Sequence, residues 1–315
     1  MSTSLTTDFT YKTIELKDDY EGKATATLIA AKSNTGKRKS ILYLHGFIDY
    51  FFHPHVAKQF DEHGYDFHAL DLRKYGRSLM KHQRACYCKS VDEYFEEITI
   101  AIQEINAKGN DSVILLGHST GGLTASLYAN YGAEKKLVSG VILNSPFFEM
   151  NLPNTTRSVL KVLSNTIPLI NPYAKLSNAI PAAYGKSLHK DYNGEWDYNL
   201  EWKPLKGFPA YFMWFKAVMS GHKKLQNNSN ITVPVLVMHS SQSLPKKWKK
   251  EDFQKSDIVL NVKHIKEIGA KLGKQITVLE VKDGLHDIFL SREDVRNFAF
   301  TEMFKWLQST VNKTK

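Results

Sequence analysis

Ile41-Leu42-Tyr43-Leu44, the stretch Asp111 to Leu116 and the stretch Leu137 to Leu143 are short runs apolar at nearly every position. A strand with one wet face alternates apolar and polar residues. A continuously apolar run needs cover on both faces, as the strands of a parallel sheet have. Helix-period segments lie between and around these runs. From about Val91 to Ala107, Tyr94, Ile98, Ile102 and Ile105 recur at steps of three and four, and Gly122 to Tyr131 is a helix of small residues. Ile41 to Leu44, a helical stretch to about His63 and the strand-like Tyr65 to Leu70 make a strand–helix–strand unit. Alternation of this kind predicts an α/β fold built on a mostly parallel sheet.

Two earlier segments, roughly Phe9 to Leu16 and Ala24 to Ala31, read as an antiparallel hairpin that opens the sheet. After Asn144-Ser145-Pro146 the rhythm stops for nearly ninety residues. Aromatic residues take over: Tyr173, Tyr184, Tyr192, Trp196, Tyr198, Trp202, Tyr211, Phe212, Trp214 and Phe215. The rhythm resumes with strand Val233 to Met238, a helix from about Val262 to Leu272, strand Ile276 to Val281 and a helix from about Arg292 to Thr310. The expected organisation is a core of residues 1–146 and 233–315 with an aromatic-rich helical insertion, residues 147–232. Most of the insertion's rings are expected to form its own core.

Gly117-His118-Ser119-Thr120-Gly121 falls between a buried strand and a helix of small residues, where a nucleophile elbow belongs. Such a turn strains the serine backbone, and its flanks need glycine to pass the neighbouring strand and helix. The helix start favours developing negative charge at Ser119. His45-Gly46-Phe47 ends the strand Ser40 to Leu44, which places the Phe47 and Thr120 amides as candidate oxyanion donors. His45 reads equally as a turn histidine bonded to backbone.

Of the twelve histidines, His286 follows the last strand in the glycine-containing loop Asp283-Gly284-Leu285-His286-Asp287 and is the candidate general base. His53 and His55 lack the rest of a metal set, His63 closes a helix and His118 fills the elbow. The acid must come from the loop after a late strand. Met238-His239-Ser240 ends that strand without a carboxylate, so Asp257, in Ser256-Asp257-Ile258-Val259, is preferred, with Glu251, Asp252 and Glu149 as alternatives.

The formal net charge is +10, from 42 Lys and Arg against 32 Asp and Glu. The basic runs Lys37-Arg38-Lys39 and Lys246-Lys247-Trp248-Lys249-Lys250 read as solvated loops, and no nucleic-acid-binding module accompanies them. Attachment to a membrane surface has no amphipathic helix to support it. Cys86 and Cys88, the only cysteines, are too close for an ordinary disulfide and read as reduced thiols in a loop. The first twenty residues lack the basic-then-apolar pattern of an export signal, so a cytoplasmic protein is expected, for which sequons such as Asn154-Thr155-Thr156 carry no meaning. Neither a cofactor nor a metal is implied.

Leu44-His45-Gly46, Asp71-Leu72-Arg73 with Gly76-Arg77-Ser78, Gly117 to Gly122, Ser256 to Val259 and Gly284-Leu285-His286-Asp287 occur in the order found in a known family. The chain resembles the α/β-hydrolase-fold serine hydrolases that include monoacylglycerol lipases, lysophospholipases and serine aminopeptidase-like proteins. The resemblance implies a mostly parallel eight-stranded sheet with an inserted cap, a Ser119–Asp257–His286 triad and oxyanion donors at Phe47 and Thr120. It implies a small acyl substrate, cleaved through an acyl-enzyme. Two departures bear on substrate: Phe47-Ile48-Asp49-Tyr50 stands where lipase members have a small residue and glycine, and the acid loop carries an added lysine-rich segment. Carboxylic-ester hydrolysis leads. Peptidase or amidase activity is the alternative, with Glu149, Glu195, Asp197 and Glu201 available for a substrate amino group, and a non-catalytic binding module is a third reading.

Overall fold

A computed structural model of the protein describes residues 8–36, 39–178 and 182–311. Lys37 and Arg38 of the first basic run, and residues 1–7 of the N-terminal stretch, lie outside the described residues. In chain order the elements are β1 (Phe9–Glu15), β2 (Thr25–Ala31), β3 (Ser40–Leu44), α1 (Pro54–Glu62), β4 (Asp66–Asp71), α2 (Phe95–Ala107), β5 (Val113–His118), α3 (Thr120–Tyr131) and β6 (Val138–Asn144). Then follow α4 (Asn154–Ile170), β7 (Lys175–Asn178), α5 (Ala182–Leu188), β8 (Pro209–Tyr211), α6 (Phe212–Asn228), β9 (Val235–Ser240), α7 (Val262–Gly269), β10 (Ile276–Val281) and α8 (Glu293–Trp306).

Eight strands form one sheet in the order β1-β2-β4-β3-β5-β6-β9-β10. β1 pairs antiparallel with β2, and β2 antiparallel with β4, while every pairing from β4 to β10 is parallel. The chain therefore adopts the α/β-hydrolase architecture. The consecutive apolar residues find cover on both faces. In β5, Val113 and Leu115 pack into a core shared with α2, α3 and α6, whereas Ile114 and Leu116 face a second core with α1 and α8. Leu42 and Leu44 of β3 divide from Ile41 and Tyr43 in the same way. Each fully buried aliphatic side chain contributes about 1.5–3 kcal/mol over an exposed one.

Local chemistry sets the ends of the elements. Ser90 and Glu93 form a reciprocal capping box on the turn that leads into α2, and Pro54 opens α1, where its missing N–H costs nothing. α7 stops at Gly269, short of the expected Leu272, and α8 gives way to a wider turn at Leu307–Val311. β3 is followed not directly by helix but by a buried loop from His45 to His53.

The chain leaving β3 goes to β4 on one side and the chain leaving its neighbour β5 goes to β6 on the other, so connections diverge toward opposite edges of the sheet between β3 and β5. Open α/β sheets bind ligands at the carboxyl ends of strands at such a switch point. The stretch between β6 and β9 adds no strand to the large sheet; it contributes helices and the β7–β8 ribbon. Among the described residues no helix is long and apolar enough to cross a membrane.

Candidate active site

β5 runs into Ser119, which sits at φ 52° and ψ −117° immediately before α3. A non-glycine residue there is strained, and the surroundings fix it: Ser119 N–H donates to Asn144 O at 3.1 Å, and its carbonyl accepts from Gly122, Leu123 and Phe147. The two motif glycines are required by space. A Cβ on Gly117 would lie 2.5 Å from the Gly121 carbonyl oxygen, and one on Gly121 would overlap the Leu44 and His45 carbonyls.

Ser119 Oγ lies 3.0 Å from His286 Nε2, and His286 Nδ1 lies 3.0 Å from Asp257 Oδ2. All three residues are buried. An ionised carboxylate only accepts, which assigns the proton to Nδ1 and leaves Nε2 to accept from the serine hydroxyl. Asp257 Oδ1 is held in turn by the N–H groups of Val259 at 2.9 Å and Leu260 at 2.8 Å.

The long acid loop reaches this position by doubling back. Asp257 N–H donates to Gln242 O, and its carbonyl accepts from Leu244 N–H, so Asp257 returns beside the end of β9 after the lysine-rich excursion. In that excursion Lys246, Lys247 and Lys249 are exposed. The other carboxylates considered for the role are engaged elsewhere. Asp252 accepts the Lys249 N–H at 2.7 Å, Glu251 is exposed with Lys255 nearby, and Glu149 pairs with Arg157 at 2.7 Å.

Phe47 and Thr120 line the same cavity as Ser119 and His286. Neither amide donates a hydrogen bond within the protein among the described residues. The β3 loop approaches the elbow closely, since a Cβ on Gly46 would lie 3.2 Å from Ser119 Cβ. His45 bridges two loops: Nδ1–H donates to Gly46 O at 2.8 Å and Nε2 accepts from Leu72 N–H at 3.1 Å. Burial lowers its pKa, so the ring is neutral, as this bonding requires. Asp71 braces the loop from behind, accepting from Phe51 N–H at 2.8 Å and pairing with Arg77 at 2.7 Å.

Phe47, Ile48, Phe147, Leu205, Leu260 and Trp214 supply apolar wall, and the Phe47 and Trp214 ring centroids are 4.0 Å apart. Tyr184, Tyr198 and Trp214 thus face the cavity, while Tyr192 is exposed, so the insertion's rings do more than pack on one another. None of the insertion's four candidate acids lines the cavity. Glu195 pairs with Arg296 and Asp197 with Lys190, each at 2.6 Å, and Glu201 is exposed.

Sequence reasoning passed over a second buried polar cluster. Asp287 accepts from Asn144 Nδ2 at 2.7 Å and lies 3.1 Å from His53 Nε2. Burial alone raises its pKa, but His118, His53 and Asn144 outweigh burial and hold the carboxyl well below the usual range. His118 Nδ1–H donates to Asn144 O at 3.1 Å, and burial lowers its pKa to about 4. Adjacency to His286 was the one signal for Asp287; nothing local marked His53. His55 Nε2 lies 2.9 Å from the Phe289 carbonyl oxygen. Both cysteines are free and buried, and burial raises their pKa, that of Cys88 to about 12.

A strained serine elbow at the carboxyl end of a parallel sheet, linked through histidine to a buried carboxylate, places the molecule among the α/β hydrolases. Residues 35–244 match the model of the serine aminopeptidase S33 family, two thirds of the chain, and the protein belongs to that family. Solved structures with the same fold include a soluble variant of monoglyceride lipase from Saccharomyces cerevisiae in complex with a substrate analog. It is 19% identical with a TM-score of 0.67, over 95% of each chain. A monoacylglycerol lipase from Paleococcus ferrophilus is 20% identical with a TM-score of 0.64, over 95% of this chain and 99% of that one. A highly thermostable carboxyl esterase from Bacillus coagulans, in complex with glycerol, is 14% identical with a TM-score of 0.66, over 96% and 99%. No curated protein matches in sequence.

Proposed function

We propose that this protein is a serine hydrolase of carboxylic esters that works through an acyl-enzyme. Ser119 is the nucleophile, His286 the general base and acid, and Asp257 the group that orients the imidazole. The observation that carries the reading is the pair of 3.0 Å links from Ser119 Oγ to His286 Nε2 and from His286 Nδ1 to Asp257 Oδ2, on the wall of a mostly apolar cavity. Residues 147–232 act as a cap over that cavity.

In the first half-reaction Ser119 Oγ attacks the ester carbonyl while its proton passes to His286 Nε2. The Phe47 and Thr120 amides stabilise the oxyanion of the tetrahedral intermediate, which collapses as His286 returns the proton to the departing alcohol. Water then attacks the acyl-enzyme with His286 as base, and the second collapse releases the carboxylic acid and restores Ser119. Asp257 stays ionised throughout and stabilises the imidazolium.

The substrate class is an ester with an apolar acyl chain and a small polar alcohol, as in a monoacylglycerol or a lysophospholipid. The apolar wall supports it, and so do the monoglyceride lipase and esterase names of the structural neighbours. The aminopeptidase reading draws support from the family's name alone. Among the described residues it lacks an acid for a substrate amino group, because Asp49, the carboxylate that lines the cavity, is already paired with Lys203. Free buried thiols fit the reducing conditions of the cytoplasm, the proposed location.

A fluorophosphonate probe is expected to label the wild-type protein and not Ser119→Ala. Absence of wild-type labelling sinks the reading in favour of a non-catalytic binding module. Turnover of p-nitrophenyl esters of graded chain length, set against aminoacyl-naphthylamides, is expected to favour the esters; faster amide cleavage reverses the choice.

A further inference from the structure

The cavity holds an ion pair that the triad does not use. Lys203 Nζ lies 2.6 Å from Asp49 Oδ1, with the two side chains only 11% and 2% exposed. Asp49 belongs to the loop after β3, two residues beyond Phe47. Lys203 comes from the insertion, between α5 and β8. The second oxygen, Asp49 Oδ2, accepts the Gly46 N–H at 3.3 Å. The carboxylate therefore ties the loop together across Phe47, from the residue before it to the second residue after it.

Between these anchors Ile48 stands at φ 53°, left-handed backbone that a β-branched residue adopts only under constraint. A loop strained in this way relaxes when its restraints are removed. Burial works against the charge of Asp49, yet Lys203, with His53, His118 and His45, outweighs burial and holds the carboxyl below its usual range, so it remains an anion that accepts. Lys203 is itself located by packing, with its ammonium 4.9 Å from the Phe52 ring centroid and 5.6 Å from that of Tyr198. The insertion touches the same loop a second time, where Asn199 N–H donates to Tyr50 Oη at 2.7 Å.

We propose that the Asp49–Lys203 pair is a positioning device that holds the Phe47 amide in place for the oxyanion, so that the insertion takes part in transition-state stabilisation as well as in enclosing the substrate. The proposal rests on the serine-hydrolase reading. A misplaced oxyanion donor weakens the transition state more than the bound ester, so the effect falls on kcat with KM little changed.

The test is steady-state hydrolysis of p-nitrophenyl butyrate. If the wild type neither hydrolyses the ester nor takes the fluorophosphonate label, the serine-hydrolase reading fails and this proposal with it; the variants matter once wild-type turnover is measured. Lys203→Met leaves Asp49 charged without a counter-ion, and its kcat is expected to fall by roughly 10²-fold, the scale of a misplaced active-site group. Asp49→Ala/Lys203→Met removes the clamp without leaving a buried charge, and the same loss is expected there even if the single variant does not fold. Asp49→Asn/Lys203→Met keeps an acceptor for Gly46 N–H without the link to the insertion, and is expected to recover part of kcat. Three outcomes overturn the proposal: wild-type kcat in the Asp49→Ala double variant, a loss confined to KM, or a rescue variant no faster than its alanine counterpart.

Discussion

Two aspartate–histidine pairs meet at consecutive residues of one loop, and they differ in what lies at the far end. His286 reaches Asp257 on one side and the Ser119 hydroxyl on the other, beside a cavity open to a ligand. Asp287 reaches His53 and the Asn144 amide, both fully buried. The chemical groups are the same. In the first pair the histidine has a nitrogen available to a reacting atom, and in the second the aspartate's lone pairs are consumed by fixed donors, among them the Phe289 N–H at 3.0 Å. One arrangement can move a proton, while the other pins the loop that carries it.

The largest expected effect tests the first pair. Asp257→Asn leaves the geometry but favours the wrong tautomer, so esterase kcat is expected to fall by about 10⁴-fold. Loss of less than tenfold in a stopped-flow or steady-state ester assay would return the acid role to another carboxylate.

Asp287→Ala sharpens the contrast from the other side. It strips His53 and Asn144 of a buried acceptor, and each buried donor left unsatisfied costs about 1–3 kcal/mol of stability. Denaturant unfolding is expected to register that loss while the folded fraction keeps most of its turnover. A fully stable variant with abolished turnover would merge the two pairs into one functional unit.

The smallest effect is a pH dependence. Burial lowers the pKa of His118 and His222 from 6.5 to about 4, and of His68 likewise. The folded protein therefore binds fewer protons than the unfolded chain between these values. Stability is fully present above pH 6.5 and declines as pH falls toward 4. Asp287, held below its usual range, adds a further loss below about pH 4. Thermal unfolding midpoints across this range are expected to drop for the wild type and to drop less for His118→Gln. A flat wild-type profile contradicts the buried neutral histidines.

Much of the fold was legible because it depends on local patterns. β5 had to be covered on both faces because no polar residue interrupts Val113 to Leu116, and the elbow had to follow because Gly117 and Gly121 stand where any Cβ collides. β10 matched its expected span, Ile276–Val281. Other features were illegible for a physical reason: they depend on contacts between distant segments. The choice of Asp257 over Asp252 is made by backbone hydrogen bonds to Gln242 and Leu244, on the far side of the lysine-rich excursion. His53 and Asp287 are 234 residues apart, and Lys203 and Asp49 are 154 apart. The aromatic insertion was visible as composition, yet composition gave no sign that Trp214 packs against Phe47.

The sequence by itself determined the layered α/β architecture, the strained serine turn and the chain order of Ser119, Asp257 and His286, since strand coverage, glycine spacing and chain order are properties of neighbouring residues. Only the tertiary structure decided which carboxylate meets His286, which histidine pairs with Asp287, and that a lysine of the insertion neutralises Asp49. Buried charges choose their partners by distance and desolvation, and both are set by the fold.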